Sequence, residues 1–168
     1  MINLQKLFEI QKALDERIVK ENNITHDRFD NLVLALLDEV GECAKETRCF
    51  KDWSKKGPSP REVILEEYVD GVHFVLSLGL LKGYDKEHLP YLHEHNIKVY
   101  TGNNLTAQFL EIYVSVSKFA YGPEFENYEE VFLQYLGLGR LLGFTDKEIE
   151  VAYMEKNEVN HQRQKIGY

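Results

Sequence analysis

The chain has 168 residues, 43% of them apolar and 29% charged, and a net charge of −8. This length suits one compact domain over residues 1–168, large enough to bury roughly 70% of its unfolded surface without disulfide staples. The negative balance argues against a nucleic-acid polymer as partner, and no apolar run reaches the ~18 residues that span a membrane.

The amino terminus, Met1 to Lys6, lacks the basic start and long apolar stretch of a signal peptide, so a cytoplasmic location is expected. Leu7, Ile10, Leu14 and Ile18 make an apolar stripe at helical spacing and predict a first helix from about Leu4 to Lys20. A second is predicted from about Asp27 to Arg48 on the periodicity of Leu32, Leu36, Val40 and Cys43. Cys43 falls inside that pattern and reads as core. With Cys49 it makes too small a set for a disulfide framework, so both are expected to be reduced thiols.

A basic and aromatic loop follows, from Cys49 through Trp53 and Lys56 to Pro58. Ser59-Pro60-Arg61-Glu62 reads as a capped helix start, with Ser59 as cap and Glu62 completing a capping box. The third helix is expected to run to about Leu81 and to stop at Gly83. It is apolar on nearly all sides after Val69, which places it inside a bundle. A short helix interrupted by Pro90 is predicted over about Asp85–Ile97, then long ones over about Leu105–Ala120 and Tyr128–Leu142. Thr145 with Glu148 forms a second capping box and opens a last helix to about Asn160. The fold class is all-α: a helical bundle.

Glu39 and Glu42 stand three apart on the second helix, and Glu67 and Asp70 three apart on the third. That spacing puts each pair on one helix face. Two packed helices could thus point four carboxylates into one space, which cannot all stay ionised in a partly dry site without cations. Mg²⁺ suits them, as a hard ion that takes oxygen ligands and shares them with phosphates. Solvated acidic faces are the plainer alternative, since paired glutamates are common on helices. The pairs, however, sit within apolar segments and flank the Lys/Trp loop, which could cover a ligand. Asp38, Glu46 and Glu66 read as surface charge or supporting groups. A di-iron bundle would require Glu-x-x-His pairs, of which Asp70-Gly71-Val72-His73 is one imperfect example. The spacing of His88, His93 and His95 fits no established zinc pattern, and exposed histidines are expected there.

The segment from Lys156 to Tyr168 combines cations, amides and a phenol. Arg163 suits a phosphate through its planar fork, and Lys156 through a point charge. Alone, the segment could equally be a frayed polar tail.

Glu39-x-x-Glu42, Glu67-x-x-Asp70 and Lys156-Asn157-x-x-Asn160-x-x-Arg163-Gln164-x-x-Gly167-Tyr168 together resemble the dimeric all-α dUTPases, within the wider all-α nucleoside triphosphate pyrophosphohydrolases. Gln11-x-x-Leu14-Asp15, Phe50-Lys51-Asp52-Trp53-Ser54 and Asp70-Gly71-Val72-His73-Phe74 also fit, so the likeness runs from Leu7 to Tyr168. The resemblance implies a four-helix core, a homodimer, and Mg²⁺-dependent conversion of dUTP to dUMP and pyrophosphate. It implies Glu39, Glu42, Glu67 and Asp70 as metal ligands, with Glu39 and Glu42 catalytic. Gln11, Asp15, Trp53, Lys56 and Phe74 would meet the nucleoside side of the substrate. Lys156, Asn157, Asn160, Arg163 and Tyr168 would gather around the nucleotide and its phosphates. Asp15 stands where some relatives have Asn; an ionised Asp accepts from uracil N3–H but cannot donate to a carbonyl. Two other readings stay open: a pyrophosphohydrolase for another pyrimidine or non-standard nucleotide, and a helical protein-binding regulator that retains a nucleotide site.

Overall fold

The computed structural model describes residues 2–86, 88–94 and 104–167, apart from the side chains at 93 and 94. Among them are seven helices and no strand: α1 (Leu4–Glu21), α2 (Phe29–Thr47), α3 (Arg61–Lys82), α4 (Leu89–Glu94), α5 (Leu105–Tyr121), α6 (Phe125–Leu141) and α7 (Asp146–Ile166). The all-α expectation holds. No helix among the described residues is long and apolar enough to cross a membrane.

The architecture follows from which faces are apolar. α2 and α3 pack as one helical hairpin and α5 and α6 as another; α2 lies on α5 and α3 touches α6, closing a four-helix core. Leu36, Val40 and Cys43 of α2 meet Tyr68, Leu76 and Leu78 of α3 in that core, with Ile112, Val116 and Phe119 of α5 and Tyr128, Val131 and Leu138 of α6. α3 is buried through most of its second half because α1 and α7 cover the side that α2 and α6 leave open.

Three close approaches fix the register of α3 and α6. The Tyr135 hydroxyl donates to the Tyr68 carbonyl at 2.9 Å, and the Tyr68 hydroxyl donates back to the Tyr135 carbonyl at 3.3 Å. The two rings stack, centroids 5.1 Å apart. Each phenol lies over a glycine of the other helix, Gly71 for Tyr135 and Gly139 for Tyr68, where a Cβ would collide. Tyr128 likewise lies over Gly79 and donates to the Val75 carbonyl at 3.0 Å.

The Thr145–Glu148 capping box is present as expected. At the start of α3 the expectation fails: Pro60 is the cap residue and makes no side-chain cap bond, because the Ser59 hydroxyl donates to Glu46 instead. α4 begins at Leu89, four residues later than predicted, with Pro90 in its first turn, where a missing N–H costs nothing. The rest of that predicted stretch, 95–97, lies outside the described residues. α7 runs six residues beyond Asn160, tied to α1 by Asn22 donating to Gln164 at 3.0 Å and by an Arg17–His161 contact at 3.2 Å. His88 is not an exposed histidine: it packs against Phe125, with ring centroids 4.1 Å apart. The side chains of His93 and His95 lie outside the described residues.

Candidate functional site

The α2–α3 hairpin brings Glu39 against Glu67 and Asp70, with one carboxylate oxygen of each within 4.8 Å of the others. Burial among neighbouring anions disfavours their charged forms. The Glu39 carboxyl is pushed up to about 7 by desolvation first, then by Asp70, Glu42 and Glu67. Desolvation also raises Glu67, with Glu42 and Asp70 adding to it. Glu42 stands at the open edge, close enough to raise both neighbours but paired with Lys45 at 3.0 Å. Asp70 is raised by burial as well, against the pull of Lys156. The Lys156 ammonium, buried on α7, sits 2.6 Å from Asp70 and 3.0 Å from Glu66.

These residues fit a divalent cation. They are hard oxygen donors, crowded and only partly neutralised, and their mutual distance approaches the ~4 Å across a Mg²⁺ octahedron with bonds of about 2.1 Å.

Glu39 and Asp70 form one end of a pocket of about 220 Å³ between α1, α2, α3 and α7. Leu14, Ile18, Leu32 and Phe74 give it apolar walls, and Asn160 and Arg163 enter from α7. Its other end holds a hydrogen-bonded cluster centred on Gln11. The Gln11 amide nitrogen donates to Asp15 Oδ1 at 2.9 Å and to Ser77 Oγ at 3.0 Å. Its oxygen accepts from Tyr153 at 2.6 Å and meets His73 Nδ1 at 2.7 Å. The Asp15 carboxylate fixes that amide orientation, since a flipped oxygen would face it. His73 therefore carries its proton on Nδ1, stacked on Tyr153 with centroids 4.1 Å apart. Burial lowers His73 to about 3, so the ring is neutral at working pH. Ser77 Oγ in turn donates to Asp15 at 3.0 Å. Asp15 is raised by burial, opposed by the bonds from Ser77 and Gln11 and by the Arg28 charge.

A pocket with a carboxylate cluster at one end and hydrogen-bonding groups between apolar walls at the other suits a nucleotide held through a metal. A family model described as dUTPase matches residues 3–168. The chain belongs to the dUTPase family. No curated protein matched it. The assigned activity is that of a dUTP diphosphatase, and the substrate is a nucleotide.

Within this dUTPase the pocket gathers Gln11, Asp15, Glu39, Asp70, Phe74, Asn160 and Arg163 of the expected residues. Glu42 and Glu67 flank its acidic end. Lys156 reaches that end through Asp70. Asn157 is buried, its Nδ2 without a partner among the described residues, and does not line the pocket. Trp53 is 77% exposed, edge-on to Phe50 at 6.2 Å, and neither it nor Lys56 lines the pocket. Tyr168 lies outside the described residues.

Sequence reading overlooked Arg28, Ser77 and Tyr153. Tyr153 had a signal: it stands one helical turn before Lys156 and two before Asn160. Arg28 had none, because it sits in a polar connection that no motif covers.

Proposed function

We propose that the protein hydrolyses dUTP to dUMP and pyrophosphate with Mg²⁺ held by Glu39, Glu67 and Asp70, with Glu42 completing the acidic set at its open edge. The observation that carries this reading is the convergence of three carboxylates from two helices at one end of a pocket that a dUTPase sequence builds. A divalent ion bound there supplies charge neutralisation for the phosphates and makes an attacking water more acidic.

The chain's own residues do the rest. Glu42, the more solvent-facing carboxylate, accepts the proton of the attacking water. Arg163 and Asn160 contact the phosphates and sugar from α7. Lys156 leaves part of its pairing with Asp70 for a phosphate oxygen. Phe74 packs against the nucleoside, and Trp53 and Lys56 close over it with their loop. Asn157 supports the α7 side of the site from within the core, and Tyr168 joins the groups that gather around the nucleotide. Close apolar walls leave a ribose 2′-hydroxyl without a partner, which favours deoxynucleotides.

This reading takes residues 1–168 as one domain acting as a homodimer in the cytoplasm. Leu34 on α2 and Leu110 and Val114 on α5, all exposed on helices that pack together, are apolar positions suited to a subunit interface.

Pyrophosphate release measured over dUTP, dCTP, dTTP and UTP, with Mg²⁺ and with chelator, tests the reading. The expected result is metal-dependent turnover with strong preference for dUTP. Equal rates on dCTP and dUTP would remove uracil selectivity, and undiminished turnover in chelator would remove the metal.

A further inference from the structure

The pocket has a direction. Glu39 and Arg28 lie eleven residues apart on α2 and its cap, about 16 Å along the axis at 1.5 Å per residue. On α3, Asp70 stands beside Glu39 while Ser77 is two turns further on, at the end that Asp15 and Arg28 also line. Phosphates drawn to the acidic end therefore place the base between Phe74, Asp15 and Arg28. The Asp15 carboxylate keeps phosphates away from this end by repulsion.

A uracil edge presents one N–H donor, N3, between two carbonyl acceptors. Gln11 cannot read it. An amide has two N–H donors and two acceptor lone pairs, and all four are committed, to Asp15, Ser77, Tyr153 and His73. The Ser77 hydroxyl accepts from Gln11 and gives its one proton to Asp15, so it has nothing left to donate to a carbonyl. Asp15 takes both of those bonds on Oδ1, and Oδ2 accepts none from the described residues. A carboxylate can serve N3–H but has nothing for a carbonyl. Arg28 is half-buried on the pocket wall, and its guanidinium makes no hydrogen bond or ion pair with the described residues. Arg163, the pocket's other arginine, acts on Asp70 and so belongs to the acidic end.

We infer that Arg28 is a specificity-determining residue whose guanidinium donates to the uracil carbonyl adjoining the N3–H that Asp15 Oδ2 accepts, with Gln11 positioning Asp15 rather than touching the base. The inference rests on the dUTP reading above. It makes the pair a discriminator, because cytosine reverses both contacts. Its N4 amine meets the cation, and its unprotonated N3 meets the carboxylate.

The test compares Arg28→Gln and Arg28→Lys with wild type on dUTP and dCTP, and measures inhibition by inorganic pyrophosphate with Mg²⁺. Arg28→Gln is expected to lower kcat/KM for dUTP about a hundredfold, mostly through KM, from the loss of one charged hydrogen bond. The dCTP value should change less than threefold, and pyrophosphate inhibition, which involves no base, should stay the same. Arg28→Lys should restore part of the dUTP value. Equal losses on both nucleotides, or weakened pyrophosphate inhibition, would make Arg28 a phosphate residue and overturn the inference. If Arg28→Gln keeps the wild-type preference for dUTP, this inference alone fails. A wild type without that preference sinks the dUTP reading along with it.

Discussion

Glu39 concentrates the electrostatic conflict of the site. Its carboxyl titrates near 7 in the folded chain against 4.5 ordinarily. A group whose folded pKa is raised gives stability that is fully present below its unfolded pKa and is lost as pH rises through the folded one. Without metal, the wild type should therefore lose stability between about pH 4.5 and pH 7 from this residue. Solvent screening at a half-buried site leaves about 1–2 kcal/mol of that effect. Glu39→Gln removes the titration. In chelator its Tm should exceed that of wild type by a margin that grows from pH 5 to pH 8, and the margin should close on adding Mg²⁺. A margin independent of pH would show that Glu39 does not carry the repulsion. Glu39→Gln, Glu67→Gln and Asp70→Asn should each reduce turnover at least a hundredfold, whereas Asp38→Asn, on the exposed side of α2, should leave it within twofold. Wild-type rates in two of the three would remove the proposed metal site. The carboxylates were legible in the sequence because i, i+3 spacing states which face they share. The Lys45 contact of Glu42 was equally local, yet spacing could not say which of its neighbours Glu42 would choose. Arg28 was illegible because it lies in a polar connection before α2 and comes near Asp15 of α1 only once the helices pack.

At the level of elements, α3 has to satisfy two demands at adjacent residues. Asp70 faces the site and Gly71 faces α6, where the Tyr135 phenol fills the room a side chain would take. Gly71→Ala should cost about 3 kcal/mol, because the obstructing ring is fully buried and itself hydrogen-bonded. Denaturant melts measure that directly. A cost below about 1 kcal/mol would mean that the α3–α6 contact yields easily. The helices and most of their ends could be read from periodicity and capping residues, but this interlock could not. A glycine in a helix has the same appearance in sequence whether it is a weakness or a socket. The basic loop can be tested through its own chromophore. Trp53 is the only tryptophan in the chain and is largely exposed. If the loop closes over a bound nucleotide, a non-hydrolysable dUTP analogue with Mg²⁺ should quench or blue-shift its emission. Unchanged emission under saturating ligand would take Trp53 out of the site.

Over the whole molecule, a net charge of −8 is met by local arrangement, with Lys156 and Arg163 brought to the acidic end by α7. Mg²⁺ should therefore act as a stabilising ligand even without nucleotide. At a hundred times its Kd it contributes about 2.7 kcal/mol, or roughly 6–8 °C in Tm for a chain of this size. A variant with Glu39→Gln, Glu67→Gln and Asp70→Asn combined should show no such rise, and an equal rise in both proteins would place the ion elsewhere. All-helical class and bundle architecture were legible from composition and period. The length of α7 was not, because its last turns are polar and are held by α1 rather than by a core of their own.

The Gln11 cluster has a consequence for how sequences of this kind can drift. Four partners from three helices meet on one amide, and each uses a different one of its bonding positions. A change at position 11, 15, 73, 77 or 153 alone strands a buried donor or acceptor, at about 1–3 kcal/mol. Substitutions tolerated at one of these positions should then be matched by substitutions at the others. Across related chains, the five should vary as a block, while the apolar walls of the same pocket change one residue at a time.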